Sequence, residues 1–185
     1  MGILLNKAIV FATEAHEGQF RKGTHVPYIL HPIEAAAIVG TMTTDDEIIA
    51  GAVLHDVVED TDTTVDEIKE LFGERVAALV DSESEDKRED KPAESTWKIR
   101  KQETLDHLKN APIDVKMITL GDKLSNIRAI YRDYNTIGEE LWQRFNQKDK
   151  NQHYWYYKSI AECLSDLEEY QAYKEYVDLV EKTFN

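Results

Sequence analysis

The chain has 185 residues, 42% of them hydrophobic and 31% charged, with a formal net charge of −14. That length buries a hydrophobic core without disulfides or a structural metal, and it predicts a single domain over 1–185. The acidic balance argues against DNA or RNA as a partner, and any anionic substrate would need a local cluster of Lys and Arg, or a metal, to overcome it. The one cysteine, Cys163, has no intramolecular partner, which predicts a reducing, cytoplasmic setting. The opening MGILLNKAIVFATEAHEG is broken by Asn6 and Lys7 and reads as an amphipathic helix, not a signal peptide. No run approaches the ~18 apolar residues that would span a membrane.

Helical periodicity dominates from end to end, with only 8 Gly and 4 Pro, and no stretch alternates long enough to make a strand. The pattern predicts helices over 3–16, 32–41, 45–58, 64–71, 74–81, 96–109, 113–131, 137–145 and 150–182, the last breaking near 168–171. Pro32 suits a first helical turn, where its missing N–H costs nothing. Thr44 precedes the acidic turn Asp45-Asp46-Glu47, which favours the helix dipole. Thr64 and Glu67 have capping-box spacing, and Gly73 follows as a stop. Two segments look irregular. Residues 19–30, QFRKGTHVPYIL, combine a Gly, a Pro and two basic side chains. Residues 81–94, DSESEDKREDKPAE, are almost wholly polar and read either as a solvated mobile loop or as a lid near a site.

Four positions carry the chemistry. His31 enters a helix just before Pro32. His55 and Asp56 are adjacent at the end of the apolar IIAGAVLHDVVED. Asp122 interrupts VKMITLGDKLSNIRAI, between Leu120 and Leu124. A buried, unpaired carboxylate is costly, so Asp122 needs a partner, and a cation would be one. Imidazole nitrogen with carboxylate oxygen suits Mn²⁺, Fe²⁺, Zn²⁺ or Mg²⁺, and the absence of a nearby thiolate argues against a structural zinc site. Taken singly, Asp122 reads as an ion-paired helix carboxylate and His55 as a core histidine. Jointly they are harder to explain that way. Glu59 and Asp60 lie four residues beyond His55 and Asp56. On a continuous helix these four would share an arc of roughly 140°, where three carboxylates repel one another without a cation. Such a pair could hold an attacking water and move its proton.

The segments HPIEAAAIV, AGAVLHDVVEDTDTTVDEI and GDKLSNIRAI, with FATEAHEGQFRKGTHVPYILHP before them, resemble the HD-domain metal-dependent phosphohydrolases. Within that family they are most similar to the guanosine tetraphosphate (ppGpp) hydrolase domain of Rel/Spo proteins and to stand-alone small alarmone hydrolases. The resemblance runs from about residue 5 to about residue 165. It implies an all-α HD-type bundle of roughly eight to ten helices holding one Mn²⁺ through His31, His55, Asp56 and Asp122. It implies Glu59 and Asp60 as the water-activating pair, Arg21 and Lys22 along the nucleotide, and Asn126 at the nucleoside. Lys101 resembles a lysine that reaches a phosphate, and Lys150 and Tyr154 a phosphate-and-sugar contact pair. The substrate implied is (p)ppGpp, cleaved to a nucleoside 5′-diphosphate and pyrophosphate.

The chain departs from that pattern in two places. Where those hydrolases read V-T-D-D-K, this one reads Val80-Asp81-Ser82-Glu83-Ser84-Glu85-Asp86-Lys87. The tail GEELWQRFNQKDKNQHYWYYKSI is distinctively aromatic; Trp142, Phe145 and Tyr154 to Tyr157 read as core between the last helices or as a source of a base-stacking ring. No synthetase or regulatory domain follows within these residues, which predicts a hydrolase alone. Two other functions stay open at this point: an HD phosphohydrolase for a different nucleotide, and a metal-containing nucleotide sensor without turnover. The intact Glu59-Asp60 pair argues against the sensor.

Overall fold

The computed structural model describes residues 2–85, 88 and 91–185, and among them the architecture is all helical. The helices are α1 (Ile3–Ala15), α2 (Leu30–Val39), α3 (Asp46–Leu54), α4 (Val57–Asp60), α5 (Val65–Phe72), α6 (Glu74–Glu83), α7 (Ala93–Leu108), α8 (Ile113–Ile137), α9 (Lys150–Cys163) and α10 (Gln171–Phe184). Short 3₁₀ turns at Gly138–Arg144 and Ser165–Leu167 link the last three. The cap expected on α5 forms, whereas α3 is capped by Asp45 and not by Thr44, one residue earlier. The Asp45 carboxylate accepts from the Glu47 N–H at 3.0 Å at the start of α3. Thr64 and Glu67 close a reciprocal capping box on α5.

α8 is the axis of the fold. Every residue from Val115 to Asp122 is buried, and α2, α10, α3 and α6 all pack against this helix. Ile118, Leu120, Leu124 and Ile127 are fully buried, each contributing about 1.5–3 kcal/mol of burial. α1 packs on α3, and α7 on α9. α2 and α8 approach each other closely. A Cβ at Gly121 would lie 2.8 Å from both the Ala35 carbonyl oxygen and Val39 Cγ2, so only glycine lets the backbones meet there. That contact carries His31 on α2 up to Asp122 on α8.

Several boundaries differ from expectation. The helix expected over 45–58 breaks at His55-Asp56 into α3 and α4, so the continuous-helix arc is not how residues 55, 56, 59 and 60 come together. Asp56 nonetheless keeps helical backbone angles, and its carbonyl accepts from the Asp60 N–H at 2.9 Å, so the two carboxylates still share a side. The polar segment 81–94 is more helical than expected: Asp81 to Glu83 finish α6, and Ala93 begins α7. Asp86, Lys87, Glu89 and Asp90, which the loop-or-lid reading includes, lie outside the described residues. The aromatic tail is core. Trp142 and Phe184 stack at 5.6 Å, and Trp142, Tyr156 and Tyr157 are buried.

Candidate metal centre and active site

The site grows out of three local features. The first is the 19–28 loop, pinched by an antiparallel bridge between Phe20 and Pro27. Its turn favours glycine because Gly23 has φ +71°; a Cβ there would also displace the flexible Arg144 side chain, whose Cδ would lie 2.6 Å away. The pinch places Arg21 and Tyr28 side by side, the guanidinium 5.6 Å from the ring centre. The second is the break between α3 and α4, which places His55 and Asp56 at a helix end. The third is the α2–α8 contact.

Together these bring His31, His55 and Asp122 to one point, with one potential ligand atom from each within 4.8 Å of the others. Asp56 joins them: its Oδ2 lies 3.4 Å from His31 Nε2 and 3.1 Å from His55 Nε2. Asp122 Oδ1 is 3.2 Å from His31 Nε2 and 3.8 Å from His55 Nε2. Both imidazoles are oriented from behind. His55 Nδ1 donates to the Ala52 carbonyl at 2.8 Å. Ser125 Oγ donates to Glu34 at 2.8 Å, so its oxygen is left to accept from His31 Nδ1, also at 2.8 Å. With Nδ1 carrying the proton in each ring, both Nε2 lone pairs face the two carboxylates. His55 Nε2 is buried and makes no hydrogen bond.

Four acceptors facing one another are unstable without positive charge. The protein's own charged groups would supply part of it. Burial pulls the His55 pKa down, but Asp56 and Asp122 outweigh it and hold it well above the ordinary histidine range. Burial pushes Asp56 and Asp122 up, but His55 beside the first and Lys123 beside the second keep both well below the usual carboxylate range. A proton on His55 or a divalent cation would balance the cluster. Two imidazoles and two carboxylates are a donor set that suits such a cation.

A cavity of about 560 Å³ opens over the cluster. Of the residues singled out in the sequence, Arg21, Glu59, Asp60, Lys101 and Asn126 line it beside the four cluster residues. Arg21 donates to Asn126 Oδ1 at 2.6 Å, and the Asn126 amide donates to Asp122 Oδ1, so this asparagine joins the cluster to the basic loop. Lys22, Lys150 and Tyr154 do not line the cavity. Lys22 reaches Asn146 at 3.2 Å, Lys150 reaches the Tyr134 hydroxyl at 3.1 Å, and Tyr154 stacks on Phe184 at 5.5 Å.

Several residues of the site escape sequence reading. The Tyr28 hydroxyl lies 2.8 Å from Asp56 Oδ2 and 2.9 Å from Asp60 Oδ2, so its one proton bridges the cluster and the acidic pair. Burial, then Asp56 and Asp60, drive its pKa far up, so it stays a donor. Lys123 pairs with Asp122 Oδ2 and lines the cavity. Glu83, at the end of α6, accepts from the Thr119 hydroxyl at 2.7 Å, and burial raises its pKa to about 7. The GDK triplet could have flagged Lys123. Tyr28 and Glu83 carry no local signal, since their roles depend on loop and helix packing.

Comparison with known proteins agrees with this geometry. The HD domain family matches residues 8–149, a span that holds the whole cluster. Guanosine-3′,5′-bis(diphosphate) 3′-pyrophosphohydrolase MESH1 of Danio rerio is 39% identical over 142 residues, covering 75% of this chain and 73% of that one. A protein of the same enzymatic name from Aquifex aeolicus is 38% identical over 130 residues, but the chain spans only 18% of its length. Among solved structures, a metazoan SpoT ortholog superposes with a TM-score of 0.75 at 24% identity, covering 97% of this chain and 94% of that one. A Listeria monocytogenes protein does so with a TM-score of 0.73 at 28% identity, covering 83% and 98%. With its paired histidines and aspartates inside the matched span, the chain belongs to the HD-domain family.

Proposed function

We propose that the chain is a metal-dependent pyrophosphohydrolase that removes the 3′-pyrophosphate of guanosine-3′,5′-bis(diphosphate), with Mn²⁺ as its cation. The observation that carries this reading is the convergence of His31, His55, Asp56 and Asp122 under a cavity whose rim holds both an acidic pair and basic side chains. The names of its relatives from Danio rerio and Aquifex aeolicus supply the substrate.

His31, His55, Asp56 and Asp122 would hold the cation, which when bound withdraws electron density from phosphoryl oxygens and acidifies water. The chain's own groups do the rest. Asp60, held by the Tyr28 hydroxyl, and Glu59 face the cavity beside the cluster, where they orient a water and accept its proton. Water adds to the phosphorus bonded to the 3′-oxygen, that P–O bond breaks, and pyrophosphate leaves as the sugar oxygen takes up a proton. Arg21, Lys101 and Lys123 face the developing phosphate charge, and Asn126 stands where the nucleoside enters. Lys22, Lys150 and Tyr154, outside the cavity, would contact only a ligand that extends past its rim.

Purified protein given Mn²⁺ should release pyrophosphate from ppGpp. Chelation, or Asp56→Asn, should lower the rate by roughly a hundredfold or more. Undiminished turnover after either change would remove the cluster from the chemistry.

A further inference from the structure

The lining of the cavity also contains a second charged assembly. Arg100, Lys101 and Thr104 lie on one side of α7 and converge on a single carboxylate, that of Glu85. Arg100 Nη1 donates to Glu85 Oε2 at 2.9 Å. Lys101 Nζ and the Thr104 hydroxyl donate to Oε1 at 2.6 and 2.9 Å. All three charged side chains are largely buried, at 11%, 18% and 13% exposure for Arg100, Lys101 and Glu85. Lys101 is also held over the Tyr156 ring at 5.0 Å. The cations are therefore fixed in place.

A guanidinium, an ammonium and a hydroxyl aimed at adjacent oxygens make a receptor for a tetrahedral oxyanion as much as for a carboxylate. All four residues line the same cavity as the cluster. Glu85 itself belongs to the short segment after α6 where the sequence departs from the alarmone hydrolases. Thr104 has a second acceptor ready, the Arg100 carbonyl at 3.1 Å, so losing Glu85 strands no hydroxyl.

We propose that Glu85 is a specificity-determining residue: it fills the phosphate-binding corner made by Arg100, Lys101 and Thr104, and only a terminal phosphate carries enough charge to displace it. This rests on the hydrolase reading above and adds a threshold to it. A tethered carboxylate brings one negative charge. A phosphomonoester or pyrophosphate terminus brings about 1.5 to 2 at pH 7, whereas a phosphodiester brings one and gains nothing by exchange. The corner thus excludes diesters and singly charged nucleotides while admitting a ligand that ends in a free phosphate.

The test is calorimetric titration of the metal-loaded chain with inorganic pyrophosphate. Glu85→Gln keeps the shape and removes the competing charge, and should tighten binding about tenfold, in line with one charge-assisted hydrogen bond released to the ligand. Lys101→Met should weaken binding, and in the Glu85→Gln/Lys101→Met double variant the gain should vanish. Glu85→Ala should repeat the gain if the Gln variant is structurally disturbed. Unchanged or weaker pyrophosphate binding in both Glu85 variants would overturn the proposal, since Glu85 would then be a support for the two cations. The two readings fail separately. Tighter binding with no ppGpp turnover by the unmodified chain sinks the hydrolase reading alone. Turnover of ppGpp without the gain sinks the role of Glu85 alone.

Discussion

At the scale of single residues, the cluster is defined by what stands behind it. Ser125 accepts from His31 and donates to Glu34, and Glu34 in turn is held by Arg128 at 3.0 Å. Such partners set the tautomer of a ligating histidine, so Ser125→Ala should lower divalent-metal affinity 10- to 100-fold with a small effect on melting temperature, as titration calorimetry would show. Unchanged affinity would mean that His31 is positioned by packing alone. Glu83 gives a pH signature. Its carboxyl sits near pKa 7 in the folded chain against about 4.5 when unfolded, so the folded state holds a proton that the unfolded state has lost. The penalty appears as pH rises from about 4.5 and is complete above 7. In chelated protein, Glu83→Gln should therefore be more stable than the unmodified chain at pH 8 by on the order of 2 kcal/mol, the gap closing by pH 5. Denaturant melts at the two pH values check this, and an equal gap at both would contradict it. The cluster residues were legible in the sequence because a histidine or aspartate set into an apolar helix demands a partner. Tyr28 was not, because its reach to Asp56 and Asp60 comes from the pinched 19–28 loop, which no periodicity encodes.

At the scale of elements, capping chemistry and apolar spacing located nearly every helix, and the misses have identifiable causes. α8 runs six residues past its expected end at 131 because no glycine or proline stops it until Gly138, whose φ is +60°. Its last two turns are mostly exposed or half-buried, so they lack the apolar pattern that would have announced them. The break between α3 and α4 was invisible for the opposite reason: Leu54, His55 and Val57 are all buried, and the apolar run continues across it. The α2–α8 contact is the element-scale feature on which the site depends. Gly121→Ala would force a Cβ into the Ala35 carbonyl and the Val39 side chain, spreading the two helices that carry His31 and Asp122. That overpacking should cost about 1–3 kcal/mol and lower metal affinity together with the melting temperature. A variant with unaltered stability and affinity would show that the helices adjust without moving the cluster.

At the scale of the whole molecule, the substrate proposed for this chain of net charge −14 is itself a polyanion. The resolution is local. Arg21, Arg100, Lys101 and Lys123 turn toward one cavity, but eight Asp and Glu side chains line it as well, so a bound cation is needed to complete the offset. Composition alone set this requirement but could not say where the cations gather, because they come from the 19–28 loop, α7 and α8. The most direct measurement incubates the Mn²⁺-loaded chain with a nucleotide panel and quantifies pyrophosphate and phosphate separately. The expected result is pyrophosphate from ppGpp, with simple nucleoside phosphates turned over far more slowly. Ready hydrolysis of those nucleotides with ppGpp left intact would contradict it.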